Sequence, residues 1–249
     1  MDTEPKPDYD EVIEEEEIDA GAPVGVERLI DRLGSDRAIE RQGAASDLGL
    51  MADEAAVEPL IHALQHDEDA AVRGNAARSL GMIGDARAVA PLIDALREKD
   101  DYVREQAIEA LGEIGDESAV EPVIAAMQHD TCNRAAAAFS LGQIGDERAV
   151  EPLLQALGDK AWSDRKGRYL RWKAAEALGM LGDRRAVRPL IDLLGDENPH
   201  IREVAATALG ELGDSSAEGP LSRLLGDADH GVSKSAAKAM ERIRHAGAG

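Results

Sequence analysis

Aromatic side chains are scarce in this chain, with one phenylalanine, three tyrosines and two tryptophans among 249 residues. An interior filled mainly by Ala, Leu, Val and Ile suits closely packed helices rather than strands or a large cofactor pocket, and no cofactor is expected. Cysteine occurs once, at Cys132, which excludes an internal disulfide and a cysteine-based zinc site. That thiol falls in a polar turn and is read as inert. Positive charge is also sparse. Seven lysines and 21 arginines face 50 acidic residues, leaving a net charge of −22. Such a balance argues against generic binding to a phosphate backbone, which needs clustered cations to displace counterions, so nucleic acid is not the expected partner.

No apolar run approaches the roughly 18–20 residues that span a bilayer. The opening Met1-Asp-Thr-Glu-Pro-Lys also lacks the basic-then-apolar order of a signal peptide. The expectation is a soluble, cytoplasmic protein with no membrane partner. An acidic composition poor in lysine and aromatics resembles that of proteins from salt-accumulating archaea, in which carboxylates keep the surface hydrated and salt weakens their mutual repulsion. Halophily is therefore expected, the alternative being an ordinary acidic protein.

What the chain has in abundance is one stretch, repeated. Leu111-Gly-Glu-Ile-Gly-Asp-Glu-Ser-Ala-Val-Glu-Pro-Val-Ile124 has close copies beginning at Leu48, Leu80, Leu141, Leu178 and Leu209. Its second glycine falls at Gly84, Gly115, Gly145, Gly182 and Gly213, with Ala52 in that place in the first copy, giving intervals of 32, 31, 30, 37 and 31 residues. A period near 31 marks a stack of small units rather than one globular core. Apolar residues at helical spacing, such as Ala119, Val120, Val123, Ile124 and Met127, predict paired helices. Counting second helices by their key leucine, with Met240 as the last equivalent, gives seven pairs. The predicted class is all-α: an α-solenoid over residues 23–245, between an acidic tail at 1–22, expected to be disordered, and a short disordered end at 246–249. The tail carries Glu14-Glu15-Glu16-Glu17 and is read either as solvated or as an arm for a basic surface.

Most residue types in the repeat have a mechanical task. Asp53, Asp85, Asp116, Asp146, Asp183 and Asp214 follow the turn and should cap the next helix. Pro59, Pro91, Pro122, Pro152, Pro189 and Pro220 come six residues later, where the first helix should bend or restart. Gly49, Gly81, Gly112, Gly142, Gly179 and Gly210, one after the key leucine, should let a neighbouring element approach. Arg41, Arg73, Arg104, Arg134, Arg171 and Arg202 form a ladder beside the aspartates, which suggests bonds between repeats along the stack.

The pattern Asp-x-x-Ala-Val-x-Pro-Leu-Ile-x-Ala-Leu, followed by Val-Arg-x-x-Ala-Ala-x-x-Leu-Gly-x-Ile-Gly-Asp, resembles the HEAT-like repeats of the phycobilin lyase type over about residues 24 to 245. That resemblance implies an α-solenoid whose second helices line a concave face. It leaves activity open, because this repeat occurs in chromophore lyases, metal-dependent hydroxylases and plain scaffolds. Deoxyhypusine hydroxylases of this class are recognised by His-Glu dipeptides that hold iron, and none of the six histidines here precedes a glutamate. His62 and His66, four apart on a helix, are read as surface histidines with no metal. Without a phosphate loop or a nucleophile elbow, no catalytic residue is assigned.

Two departures from the repeat carry the functional reading. The interval of 37 residues adds about six residues to the fifth pair, within Asp159-Lys-Ala-Trp-Ser-Asp-Arg-Lys-Gly-Arg-Tyr-Leu-Arg-Trp-Lys173. The insertion, about 159–170, and the residues just after it gather Trp162, Arg165, Lys166, Arg168, Tyr169 and Trp172. These residue types dominate binding hot spots. The segment is read as a partner site for an acidic peptide, a phosphate-bearing molecule or the chain's own acidic tail, against the alternative that its aromatics pack the longer turn. The second departure lies on the positions six and two before the key leucine and two after it, which form one stripe per second helix. Phe139, Trp172 and Met180 there make an apolar floor, with Glu105, Glu109, Glu113, Glu203 and Glu211 as acidic flanks and Glu176 beside the tryptophan. Phe139 alternatively fills a helix interface. The leading reading is a non-enzymatic scaffold binding another protein or peptide segment. The alternatives are a chromophore or tetrapyrrole lyase-type subunit and a nucleic-acid-associated accessory protein.

Overall fold

The computed structural model describes residues 25–130, 132–158 and 165–246. The acidic tail, Trp162 and residues 159–164 of the insertion lie outside the described residues, as do 247–249. Among the described residues the fold is an α-solenoid of seven helix pairs without strands. The first helices of the pairs are α1 (Val26–Arg32), α3 (Val57–His66), α5 (Val89–Ala95), α7 (Val120–His129), α9 (Val150–Gly158), α11 (Val187–Leu193) and α13 (Glu218–Arg223). The second helices are α2 (Ala38–Met51), α4 (Ala70–Ile83), α6 (Asp101–Ile114), α8 (Arg134–Ile144), α10 (Arg165–Leu181), α12 (Pro199–Leu212) and α14 (His230–Ala246).

Each of the first six pairs ends on a left-handed residue. Gly84, Gly115, Gly145, Gly182 and Gly213 take φ of 66–82°, and Ala52 holds the same region at φ 50°. The aspartate that follows accepts a hydrogen bond from the backbone N–H two residues on, as Asp116 does from Ser118 at 2.8 Å. It caps a short 3-10 turn, Glu117–Ala119 in that case, and the α-helix begins only afterwards, at Val120. The proline therefore sits at the third position of every first helix from α3 onward. The first-turn N–H groups have no partner inside the helix, so proline costs nothing there. The expected restart is this change from 3-10 to α; proline is not placed to bend the helix.

The glycine after the key leucine marks the tightest packing in the stack. A Cβ added at Gly81, Gly142 or Gly210 would lie 2.7 Å from the Cα of Ala110, Ala177 or Ala239 on the following second helix. First helices contact their neighbours far less. Clefts open between them at equivalent places, about 510 Å³ between α5 and α7 and about 460 Å³ between α7 and α9. A stack that is tight along one row of helices and open along the other must curve, with the tight row inside. The second helices thus line the concave face, and the clefts on the other side are a product of that curvature.

Arginines of the ladder close the loops inside four of the pairs, through Arg41, Arg73, Arg104 and Arg202. Arg41 meets Asp67 with two bonds, 2.7 and 2.9 Å, and its remaining terminal nitrogen donates to the carbonyl of Ser35. Arg104 repeats this with Asp130 and the carbonyls of Glu98 and Lys99, and Arg202 with Asp227 and the carbonyls of Asp196 and Glu197. The bonds do run between repeats, but the acids are those of the next pair's inner loop rather than the turn aspartates. Three of the turn aspartates pair locally instead, Asp85 with Arg87, Asp146 with Arg148 and Asp183 with Arg185.

Candidate functional site

α10 departs from the other inner second helices at its start. It has 17 residues, as does the terminal α14, where α4, α6 and α12 have 14, so its first three residues, Arg165, Lys166 and Gly167, extend beyond the repeat, and Arg168 and Tyr169 follow at ordinary repeat positions. The insertion is thus in part helical, its last residues belonging to α10. Lys166 and Arg168 are exposed and Tyr169 is half exposed. Arg165 opens the helix. Two other cations of the segment are held within the protein: Arg171 pairs with Asp196 at 3.2 Å and Lys173 with Glu176 at 2.9 Å. The segment is therefore less available to an acidic ligand than its composition suggests.

Trp172 is 38% exposed, a large fraction for an indole. Tyr169 meets it edge-on at 5.7 Å between centroids, and His200 of α12 lies nearly parallel at 6.2 Å. Together with Met180, 45% exposed, Trp172 lines a groove of about 330 Å³ between α10 and α12, on the concave face. Glu176, Glu203 and Glu211 also line it. Phe139 is not part of this open floor. It is half-buried on α8, with the Lys173 ammonium 4.2 Å from its ring centre and 5.4 Å from that of Trp172. Glu105, Glu109 and Glu113 lie together along α6, two second helices away.

The carboxylates of this face are crowded against the stack. One Glu211 oxygen lies 2.6 Å from where a Cβ on Gly179 would sit, and one of Glu113 is at the same distance from a Cβ on Gly81. Burial raises the pKa of Glu211, and the charge of Glu176 adds to this against Arg242. Burial likewise raises Glu113, against Arg78. For Glu109, burial is again the largest cause of a raised pKa, with the charge of Glu105 next. A carboxylate short of water and of cations favours its protonated form.

His200 was not legible from the stripe, yet a signal for it exists. The residue nine before one key leucine packs over the residue six before the preceding one. Tyr102 thus fills the space at Gly74, Tyr169 shares a cleft with Ala135, and His200 covers Trp172. His62 and His66 stack on each other at 4.6 Å, and no group of three metal-ligating side chains occurs among the described residues. No helix among them is long and apolar enough to cross a membrane.

A family model described as HEAT repeats matches residues 26–111, 89–169 and 167–241. The chain belongs to the HEAT-repeat family. Within it, the chain is similar to a solved structure of the complex of CpcE and CpcF of phycocyanin lyase from Nostoc sp., with 26% identity, a TM-score of 0.60, and coverage of 94% of this chain and 98% of that one. An engineered protein at 23% identity and TM-score 0.58, covering 88% of this chain and 68% of its own, shares the fold. So does the Escherichia coli protein YibA, at 21% identity and TM-score 0.53, with 88% and 92% covered. No curated protein matches the chain. The architecture is that of a HEAT-like repeat scaffold.

Proposed function

We propose that this HEAT-repeat protein is a non-enzymatic scaffold that holds a segment of a partner protein along its concave face, centred on α10. The observation that carries the reading is the exposure of Trp172 and Met180 in a groove flanked by acidic side chains, in a chain with only two tryptophans. An apolar anchor inside a charged rim is the anatomy of a binding surface. The exposed Lys166 at the start of α10 gives the partner's path a second, basic end. Capture of partners on immobilised full-length protein, at the salt concentration of its source, tests the reading. Trp172→Ala should reduce recovery at least tenfold while the thermal unfolding midpoint stays put, and equal recovery would remove the site.

A second reading is a subunit of a chromophore lyase, supported by the likeness in fold to the CpcE and CpcF complex. Titration with a panel of bilins should then change their absorbance, and a flat spectrum across the panel counts against it.

A further inference from the structure

The second helices meet through one kind of junction, and both ends of the stack depart from it. At each junction the glycine after one key leucine faces the residue before the next key position, and that residue is small. Gly81 meets Ala110 and Gly142 meets Ala177, with 2.7 Å between the alanine Cα and a Cβ built on the glycine, while Gly49 and Gly112 meet Ser79 and Ser140. On the free side of α2 the residue before the key leucine is Asp47, which is exposed. On the free side of α14 the residue after Met240 is Glu241, its side chain 73% exposed. A further helix laid against either end would bring a carboxylate into a contact with no room for a side chain and no partner for the charge.

The arginine ladder is finished in the same way. An arginine lies seven residues before each key position except the last, where Ser233 stands and donates to the carbonyl of His230 in its own helix. The acid that receives the arginine lies thirteen residues before the next key position, as Asp67, Asp196 and Asp227 do for Arg41, Arg171 and Arg202. In the first pair that place is held by Ser35, whose hydroxyl donates to Glu40 at 2.6 Å. Glu40 itself stands where later second helices carry the fully buried Val72, Val103 and Val232. The α2 end thus offers no acid to an incoming arginine, and the α14 end offers no arginine to an incoming acid. We propose that these five residues, Ser35, Glu40 and Asp47 at one end and Ser233 and Glu241 at the other, keep copies of the chain from joining end to end. A head-to-tail contact between identical chains does not close on itself and would run on into a filament, and here it would bury Asp47 against Glu241. The inference is independent of the concave-face reading, and its consequence is that each copy presents its concave face singly.

Rebuilding the ends as interior junctions tests the proposal. One full-length variant carries Ser35→Asp, Glu40→Val and Asp47→Ala, the other Ser233→Arg and Glu241→Gly, and sedimentation velocity reads their association. Wild type should keep one mass up to submillimolar concentration, and so should each variant alone, since its rebuilt end has no rebuilt partner. An equal mixture of the two should move to twice that mass and go no further, because the outer ends of the joined pair are still native. All five changes in one chain should give oligomers that lengthen with concentration. Circular dichroism and the thermal midpoint show whether the variants stay folded. Should the triple variant fail to fold, Asp47→Ala mixed with Glu241→Gly, both at exposed positions, carries the same test. A wild-type mass that climbs with concentration, or a folded pair of variants whose mixture keeps the starting mass, would overturn the proposal.

Discussion

The carboxylates of the inner loops and those of the concave face are the same chemical group on the same repeat, and the fold treats them in opposite ways. Burial works against the charge of Asp67 and Asp130, yet hydrogen bonds from Arg41 and Arg104 hold both below the usual carboxylate range. Glu109, Glu113 and Glu211 are also crowded by their neighbours, but no arginine is hydrogen-bonded to them, and their pKa values rise. The loop aspartates fasten one repeat to the next. The concave glutamates do nothing comparable for the stack, and partly desolvated charge of one sign weakens it. On the proposed reading, this charge is kept for a partner rather than for folding.

If that contrast is right, removing a loop partner has the largest effect. Arg104→Ala takes the cation from the Asp130 carboxylate, whose side chain is 7% exposed and keeps bonds from Cys132 and Asn133, and it removes the donor from two loop carbonyls. It should cost about 2–3 kcal/mol in urea unfolding. A loss within experimental error would show that the ladder is ornamental.

Acidity separates the two sets next. Asp67 and Asp130 are held below the ordinary carboxylate value of 3.8, and the turn aspartates Asp85 and Asp146, hydrogen-bonded to Arg87 and Arg148, join them on the same side at about 2. A group with a depressed folded pKa contributes stability above its unfolded value and loses it as pH falls through the folded one. The aspartate contribution should therefore vanish between about pH 4 and pH 2. The concave glutamates have raised pKa values, so their penalty at neutral pH is relieved as the solution is acidified toward and below 4.5. A melting temperature that holds or rises on going from pH 7 to 5 and then collapses below pH 4 is expected. A steady decline from pH 7 downward would contradict the opposite signs.

The sequence made the building legible and the site only in outline. Gly142, Asp146 and Leu141 recur at fixed offsets because each repeat must solve the same packing problem, so spacing alone reveals their tasks. The partner of the arginine ladder was not legible, since Asp67 and Asp130 lie in loops outside the aligned stretch and only folding brings them 26 residues back to Arg41 and Arg104. Trp172 and Met180 stood out as breaks in the pattern. His200 did not, because its contact with Trp172 crosses from one repeat to the next, and Phe139 stood out without being open, because Lys173 covers it. A stripe read on one helix at a time cannot show what the adjoining helix lays over it.

The smallest shift is also the most direct test. In the triple variant Glu109→Gln, Glu113→Gln, Glu211→Gln the concave face loses three charges but keeps its shape, and surface charges of this kind contribute a few tenths of a kcal/mol each. At pH 7 the melting temperature should stay level or rise by about 1–2 °C, while the captured partner is lost. A clear fall in melting temperature with the partner retained would show that these glutamates hold the stack together, and the distinction between a building set and a binding set of carboxylates would be wrong.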